Sequence, residues 1–287
     1  MANLKEIRTR ISSVSSTMKI TSAMKMVSAA KLKKAQDNIE KLRPYAEKLN
    51  NLILDLSDGS NDELGPLVEE RSSKKVLFVM FSSNRGLCGG FNASLVKYLD
   101  SISKENYRNF EKSIFCIGKK GLEPLKRKNF NVVQTDIELL NEPSFLEVSK
   151  IANDVTNQFL EKKYDKIVLI FNKFKNAASQ IPSHEQLLPI SSPAESKKNN
   201  TTDYIFEPDN KQIIQNILPK SVKTMIFKSL LESIASEQGA RMTAMHKATD
   251  NAQELKDNLK LTYNRQRQAA ITGEILEIVA GAEALNT

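Results

Sequence analysis

Apolar side chains near the start of the chain recur at alternating steps of three and four: Leu4, Ile7, Ile11, Val14 and Met18. The register passes through Thr21, Lys25 and Ser28, then turns apolar again at Leu32, Ala35, Ile39, Leu42, Ala46, Leu49, Ile53 and Leu56. A sustained period of about 3.5 residues predicts a left-handed coiled-coil seam. Pro44 predicts a kink or local break near Arg43, and Asp58-Gly59-Ser60-Asn61 predicts the turn that ends the helix. The polar stretch from Thr21 to Ser28, with Met24 and Val27 turned to another side, has two readings. It is either a face for something other than the partner helix or an ordinary register shift.

The other end of the chain carries the same period. Pro219 is expected just before or within the first turn, and no proline follows it up to about Leu285. Heptad-like spacing runs through Leu230, Ile234, Met245, Ala248, Ala252, Leu255, Leu259, Thr262, Gln266 and Ala269. At about 1.5 Å per residue this helix reaches on the order of 100 Å, against roughly 80 Å for the first. An antiparallel pair of such unequal helices leaves the longer one protruding at its own C-terminus. There the sequence is apolar on more than one face, at Ile275, Leu276, Ile278, Val279, Ala280, Ala282 and Leu285. A tip of that kind calls for a sleeve. Arg265-Gln266-Arg267-Gln268, just before it, is a set of long donors without nearby acids, which also suits plain solvated surface.

Between the helices the pattern changes. Lys75–Phe81, Ser113–Ile117 and Lys166–Phe171 are short, continuous apolar runs of the kind that form buried parallel strands. Helical patterns such as Ala93–Leu99 and Phe145–Leu160 alternate with them, which predicts a small α/β sheet with helices packed on it. The chain therefore divides into an N-terminal coiled-coil helix (1–58), a Rossmann-like α/β domain (74–208) and a C-terminal coiled-coil helix (209–287). Ser191 to Asp203 is expected to be a polar surface loop or flap.

Candidate chemistry is thin. The loop Ser82-Ser83-Asn84-Arg85-Gly86-Leu87-Cys88-Gly89-Gly90-Phe91-Asn92 is Gly-rich and lies between strand and helix, where phosphate could bind. Its spacing matches neither G-x-G-x-x-G nor the P-loop, so a tight structural turn is the favoured reading. His184 and His246 are the only histidines, without ligand spacing, and no Gly-x-Ser-x-Gly elbow occurs. No catalytic, cofactor-binding or metal-ligating residue is expected. Cys88 and Cys116 form neither a disulfide framework nor a C-x-x-C pair, which predicts reduced thiols in a cytosolic compartment. A net charge of +8 favours acidic partners, with nucleic acid, an anionic membrane surface and an acidic protein face all open. Lys19, Lys25, Lys31, Lys33 and Lys34 give the first helix a basic face. No apolar run reaches membrane-spanning length and no signal h-region precedes the first helix, so a soluble protein is expected.

Several stretches resemble one family. Ile271-Thr272-x-Glu274-x-x-Glu277-x-x-x-Gly281-Ala282-x-Ala284 is similar to the C-terminal signature of the gamma subunits of bacterial F-type ATP synthases. Lys5-Glu6-Ile7-Arg8, Lys19–Val27, Ser236-Glu237-Gln238-Gly239-Ala240-Arg241-Met242 and the loop Ser83–Asn92 resemble that family in the same order. The resemblance covers essentially the whole chain. It implies a central-stalk rotor, with the terminal helices inside a ring of alternating alpha and beta subunits. The α/β domain would sit with epsilon on the membrane c-ring. Ion flow through the c-ring, of protons or sodium, would turn the shaft and drive the beta sites, where the ATP chemistry resides. The location implied is peripheral, on the cytoplasmic face of the bacterial plasma membrane.

By the same resemblance, Arg267 and Gln268 would hydrogen-bond a beta loop, with Thr272 and Glu274 close by. Met24 and Arg241 would sit where the helices pass the acidic beta loops. Lys25 stands where many relatives carry an acid, and Ser22 where some carry a basic residue. Two other classes remain to be weighed. An enzyme would bind nucleotide at Arg85 to Gly90, and a nucleic-acid binder would track phosphates with its basic helices. Basic residues interleaved with acids, and no reading motif, speak against the latter. Redox control of the chloroplast type is expected to be absent, because no closely spaced cysteine pair occurs. Oxidant should leave coupled activity unchanged; an oxidant response traced to a Cys88–Cys116 bond would contradict this.

Overall fold

The computed structural model describes residues 4–56, 65–69, 71, 74–141, 143–190 and 210–285. The predicted turn at Asp58 to Asn61 and the predicted flap at Ser191 to Asp203 lie outside the described residues. Ten elements follow one another: α1 (Leu4–Leu56), β1 (Lys75–Phe81), α2 (Phe91–Glu105), β2 (Glu111–Ile117), α3 (Leu122–Arg127), β3 (Val132–Asp136), α4 (Phe145–Leu160), β4 (Lys166–Phe174), β5 (Gln180–Leu188) and α5 (Asn210–Leu285). The contacts divide the chain into two compact units, 1–27 with 242–287 and 28–241.

In the first unit the termini form an antiparallel helix pair. As the sequence number falls from Thr21 to Arg8 along α1, the hydrogen-bonded partner on α5 rises from Thr249 to Tyr263. The described heptad positions of α1 from Leu4 to Met18 are all buried or half-buried, as the spacing predicts. On α5 Met245 is buried and Ala248, Ala252, Leu259 and Gln266 are half-buried, as the spacing predicts, with departures at Leu255, Thr262 and Ala269. Leu255 is 50% exposed and Thr262 is exposed, whereas Lys256 and Tyr263 are half-buried. Two polar bonds supplement the apolar contacts of this seam, Thr249 to Thr21 and Arg8 to Tyr263.

The second unit holds a five-stranded sheet in the order β3-β2-β1-β4-β5. Strands β1 to β4 are parallel and β5 is antiparallel to β4. Alternate residues face opposite sides, as the strand period requires. Leu77, Val79, Phe81, Ile167, Leu169 and Phe171 pack against α4, α5 and Ile53 of α1. Val76, Phe78, Met80, Val168 and Ile170 pack against α2 and Leu125 of α3. The result is a sheet buried on both faces, which is why β1, β2 and β4 read as continuous apolar runs. Helix α4 begins where the Ser144 hydroxyl accepts the Glu147 amide at 3.2 Å, an N-cap written as Ser-x-x-Glu.

Three features depart from the sequence reading. β3 and β5 are edge strands with mixed or polar patterns, and Pro182 within β5 argues against a strand by pattern alone. An edge strand tolerates proline because its outward amide has no ladder partner to lose. α1 runs unbroken through Pro44, which is exposed, while Leu42 and Ala46 beside it are half-buried and hold the helix. α5 begins at Asn210, so Pro219 lies inside it and not in its first turn. Ile214, Leu218 and Val222 are buried in the sheet core on either side, and that packing offsets the lost hydrogen bond. Phe171→Ala should cost about 3–5 kcal/mol of stability, against about 0.5 kcal/mol or less for Val133→Ala on the exposed edge, measured by urea unfolding.

Candidate functional site

Two places on this chain combine unusual exposure or unusual burial with the residue types picked out by sequence. The first is the helix pair of the terminal unit. Arg8 donates to the Tyr263 hydroxyl at 2.7 Å and its guanidinium lies 5.7 Å from that ring's centre. Thr249 donates to Thr21 at 2.8 Å, which lets a polar residue stay in the seam at 9% exposure. Thr21 and Ser28 are both buried and Lys25 half-buried, so the polar stretch remains on the inward face of α1. Met24 is half-buried beside it, and Ile20, Met26 and Val27 are exposed at 60%, 65% and 56%.

Past Tyr263 the character of α5 changes. From Arg267 to Glu283 every residue except Gly273 is exposed, including Arg267, Gln268, Thr272 and Glu274. Ile271, Ile275, Leu276, Ile278 and Val279 are bare over the same stretch, at 47% to 71% exposure. This bare part is about 25 Å long at the rise of an α-helix. Apolar surface on more than one face of an isolated helix marks a binding surface, since water favours its removal.

Arg241, by contrast, is 7% exposed and fully engaged within the second unit. Its Nη1 meets Glu237 Oε1 at 2.6 Å, and its Nη2 donates to the Arg85 carbonyl at 2.9 Å and the Gly86 carbonyl at 3.4 Å. The loop it holds is also tied from beneath. Asn92 accepts the Ser83 amide and donates to the Ser83 hydroxyl, while Asn84 donates to the Ile137 carbonyl and accepts the Lys119 amide. Leu87 is held at φ +63°, an uncommon conformation for a side chain of its size, and stands 63% exposed.

The position of α5 decides what this loop can do. The chain leaves β1 toward β2 on one side and reaches β4 on the other, so the switch point of the sheet lies between β1 and β4. Open α/β sheets hold ligands in the crevice outside the strand ends at such a point. Here α5 occupies it: Ser233 donates to the carbonyl of Phe81 at 3.2 Å, and Ser236 to the carbonyl of Asn172 at 2.8 Å. A Cβ on Gly239 would meet Ala177 Cα at 3.2 Å, so the helix backbone itself is pressed against the β4–β5 connection. The loop is thus a turn packed under a helix that occupies the place where such sheets hold ligands. Ser236 and Glu237 lie in the family-like stretch Ser236–Met242, but their bonding role and Ser233 were not read from the sequence. Their signal was available in the small residues Ser229, Ser233, Ser236, Gly239 and Ala240, spaced at three and four.

Burial shifts the buried thiols and carboxylates toward their neutral forms. Burial pushes the Cys116 thiol up to about 11 and raises Cys88 as well, with Ser82 and Ser83 pulling each back. Burial also raises the Glu237 carboxyl, against the pull of Arg241. Among the described residues no group of His, Cys, Asp and Glu could hold a metal ion. Glu232 is 6% exposed beside a cavity of about 530 Å³ lined also by Leu42, Arg43, Lys173 and Lys228. Its Oε2 has no hydrogen-bond partner among the described residues, and burial raises its pKa despite Lys228, Lys173 and Arg43.

The ATP synthase family profile matches residues 3–285. The ATP synthase gamma chains of Christiangramia forsetii and Flavobacterium johnsoniae are each 54% identical over 287 residues, covering all of both chains. The chain belongs to the ATP synthase gamma chain family. The gamma chain of Trichlorobacter lovleyi is 44% identical over 99% of both chains. A chain of the Tetrahymena thermophila mitochondrial ATP synthase central stalk and c-ring is 29% identical, with a TM-score of 0.58 over 80% of this chain and 99% of that one. A chain of the Euglena gracilis mitochondrial ATP synthase in rotational state 3 shares the fold, with a TM-score of 0.73, 21% identity and coverage of 98% and 94%.

Arg267, Gln268, Thr272 and Glu274 therefore lie together on bare gamma-chain helix, Met24 on the half-covered shaft, and Arg241 inside the crevice. Glu232 gives a test of the buried charge. Its folded pKa is raised, so above the ordinary carboxylate value the unfolded chain releases this proton first. Stability then falls as pH climbs toward the folded value and stays lower above it. Glu232→Gln, neutral throughout, should unfold at higher urea than the native chain at about pH 8 and lose less stability between about pH 5 and 8. A variant that is weaker at the higher pH would show that the carboxylate is needed in its charged form.

Proposed function

We propose that this gamma chain is the central-stalk rotor of an F-type ATP synthase and that it transmits rotation without catalysing any step itself. The bare apolar end of α5 carries the reading. A helix that leaves Ile275, Leu276, Ile278 and Val279 in water is incomplete alone, and a sleeve formed by the alpha and beta ring would cover all its faces at once. A sleeve that contacts every side through apolar surface holds an axle while giving it no fixed azimuth, because hydrophobic contact is non-directional.

In this scheme the c-ring, driven by the ion gradient, turns the α/β domain together with epsilon, and α5 passes the rotation to the ring. The beta sites make ATP, or hydrolyse it in reverse. Support for a non-catalytic chain comes from α5 filling the crevice where such sheets bind ligands, and from thiols whose burial raises their pKa. The described residues contain no helix long and apolar enough to cross a membrane, which suits a peripheral place on the cytoplasmic face of the bacterial plasma membrane.

Arg267 and Gln268 are the polar handles at the root of the bare stretch, and we assign them hydrogen bonds to a beta loop in one rotary position. Thr272 lies one helical turn beyond Gln268, so the two share a face, and Glu274 lies two turns beyond Arg267. Met24, on the half-covered face of α1, borders the exposed Ile20 and Val27 and would meet the acidic beta loops, whose attraction to the basic shaft acts over a short screened range. Arg241 would serve the same contact from within, by holding Arg85 and Leu87 at the loop surface. Replacing Arg267 and Gln268 together with Ala should lower coupled ATP turnover of the reconstituted complex on the order of tenfold, the loss of roughly 1.4 kcal/mol. The far-ultraviolet circular dichroism of the separate chain should not change. Native turnover in the reconstituted double variant would sink the assignment.

A further inference from the structure

We infer that the seat of α5 in the crevice between β1 and β4 is the torque joint of the rotor, the place where rotation of the sheet becomes rotation of the helix. This rests on the rotor reading above and adds to it a location and a set of residues. Nearer its start, α5 meets the sheet through Ile214, Leu218, Val222, Ile226 and Leu230, an apolar stripe at intervals of four. Apolar packing resists separation but has little preference for direction, so a load about the helix axis can roll such a stripe.

From Ser233 to Arg241 the contact changes kind. Ser233 bonds the end of β1, Ser236 bonds β4, and Arg241 forks onto the β1–α2 loop with Glu237 beside it. Three separate parts of the sheet domain are therefore bonded to one face of the helix. The acceptors are themselves fixed, because Asn172 donates to the Phe91 carbonyl and the loop is tied through Asn92 and Asn84. Directed bonds from three positions, Ser233, Ser236 and Arg241, within a little over two turns specify the azimuth of the helix, and rolling it would break them together. Gly239 against Ala177 leaves no gap into which the backbone could shift. All four polar residues are at most 8% exposed, so water is a poor substitute partner.

The test uses the complete complex in vesicles, carrying either Ser233→Ala with Ser236→Ala, or Ser236→Ala alone, and follows ATP hydrolysis and ATP-driven ion pumping against a rising opposing gradient. The joint predicts near-native hydrolysis and near-native pumping per ATP without load. Under the steepest gradient, pumping per ATP should fall by about threefold as the weakened seat slips. Native pumping per ATP at every gradient would overturn the proposal. So would an equal loss of hydrolysis and pumping without load, since that is the mark of a folding defect and not of slip. Failure of the native chain to co-purify with alpha, beta and c subunits would instead remove the rotor reading itself.

Discussion

A guanidinium brings five N–H donors and a fixed charge, and it can be buried only where a carboxylate and several carbonyls converge on it. Arg241 meets that demand with Glu237 from its own helix and with the carbonyls of Arg85 and Gly86. The carbonyls can be offered only if the loop after β1 turns back over α5, and that turn requires Leu87 to take a positive φ. The loop in turn stays in place because Ser83, Asn84 and Asn92 satisfy its inner groups. One buried charge thus fixes the loop, the helix azimuth and the closure of the crevice. Removing one partner of such a pair costs about 3–5 kcal/mol, far more than a surface ion pair.

The same helix is treated differently along its length, and the differences track function. Where α5 lies on the sheet, its apolar stripe is buried and Ser233, Ser236 and Arg241 are bonded to the sheet domain. Beside α1 in the terminal unit, a narrower seam suffices, helped by two polar bonds, Thr21 with Thr249 and Arg8 with Tyr263. From Arg267 to Glu283 it is exposed at every residue but Gly273, and apolar side chains face water on several sides. On the proposed reading, the uncovered segment answers to a partner and the over-determined one to load. A chain in the ATP synthase gamma chain family needs both, a firm grip at one place and a smooth fit at another.

Much of the fold was legible in the sequence because its elements have strong periods. The α1 seam follows the predicted positions through the polar interval, and β1, β2 and β4 were readable as buried strands. β3 and β5 were not, because an edge strand is covered on one side only and so shows no continuous apolar run. Pro44 and Pro219 misled for a related reason. A proline lowers helix stability by about 3 kcal/mol locally, but the packing of Ile214, Leu218 and Val222 against the sheet is a sum over many contacts. Tyr263, bonded to Arg8, and Lys256 are covered on α5 where Thr262 and Leu255 were expected.

The sequence by itself determined that two long heptad helices flank an α/β sheet, that one helix outruns the other into an apolar tip, and that no familiar catalytic motif is present. These are local properties, carried by spacing and composition. Only the tertiary structure decided that α5 fills the crevice of the sheet, that Arg241 turns inward while Arg267, Gln268, Thr272 and Glu274 face water, and that the Gly-rich loop is a clamp. Each depends on residues about 150 apart in number, such as Phe81 with Ser233 and Arg85 with Arg241, meeting in space. A pattern within one segment reports which face is apolar; it cannot report which distant carbonyl will accept that segment's hydrogen bond.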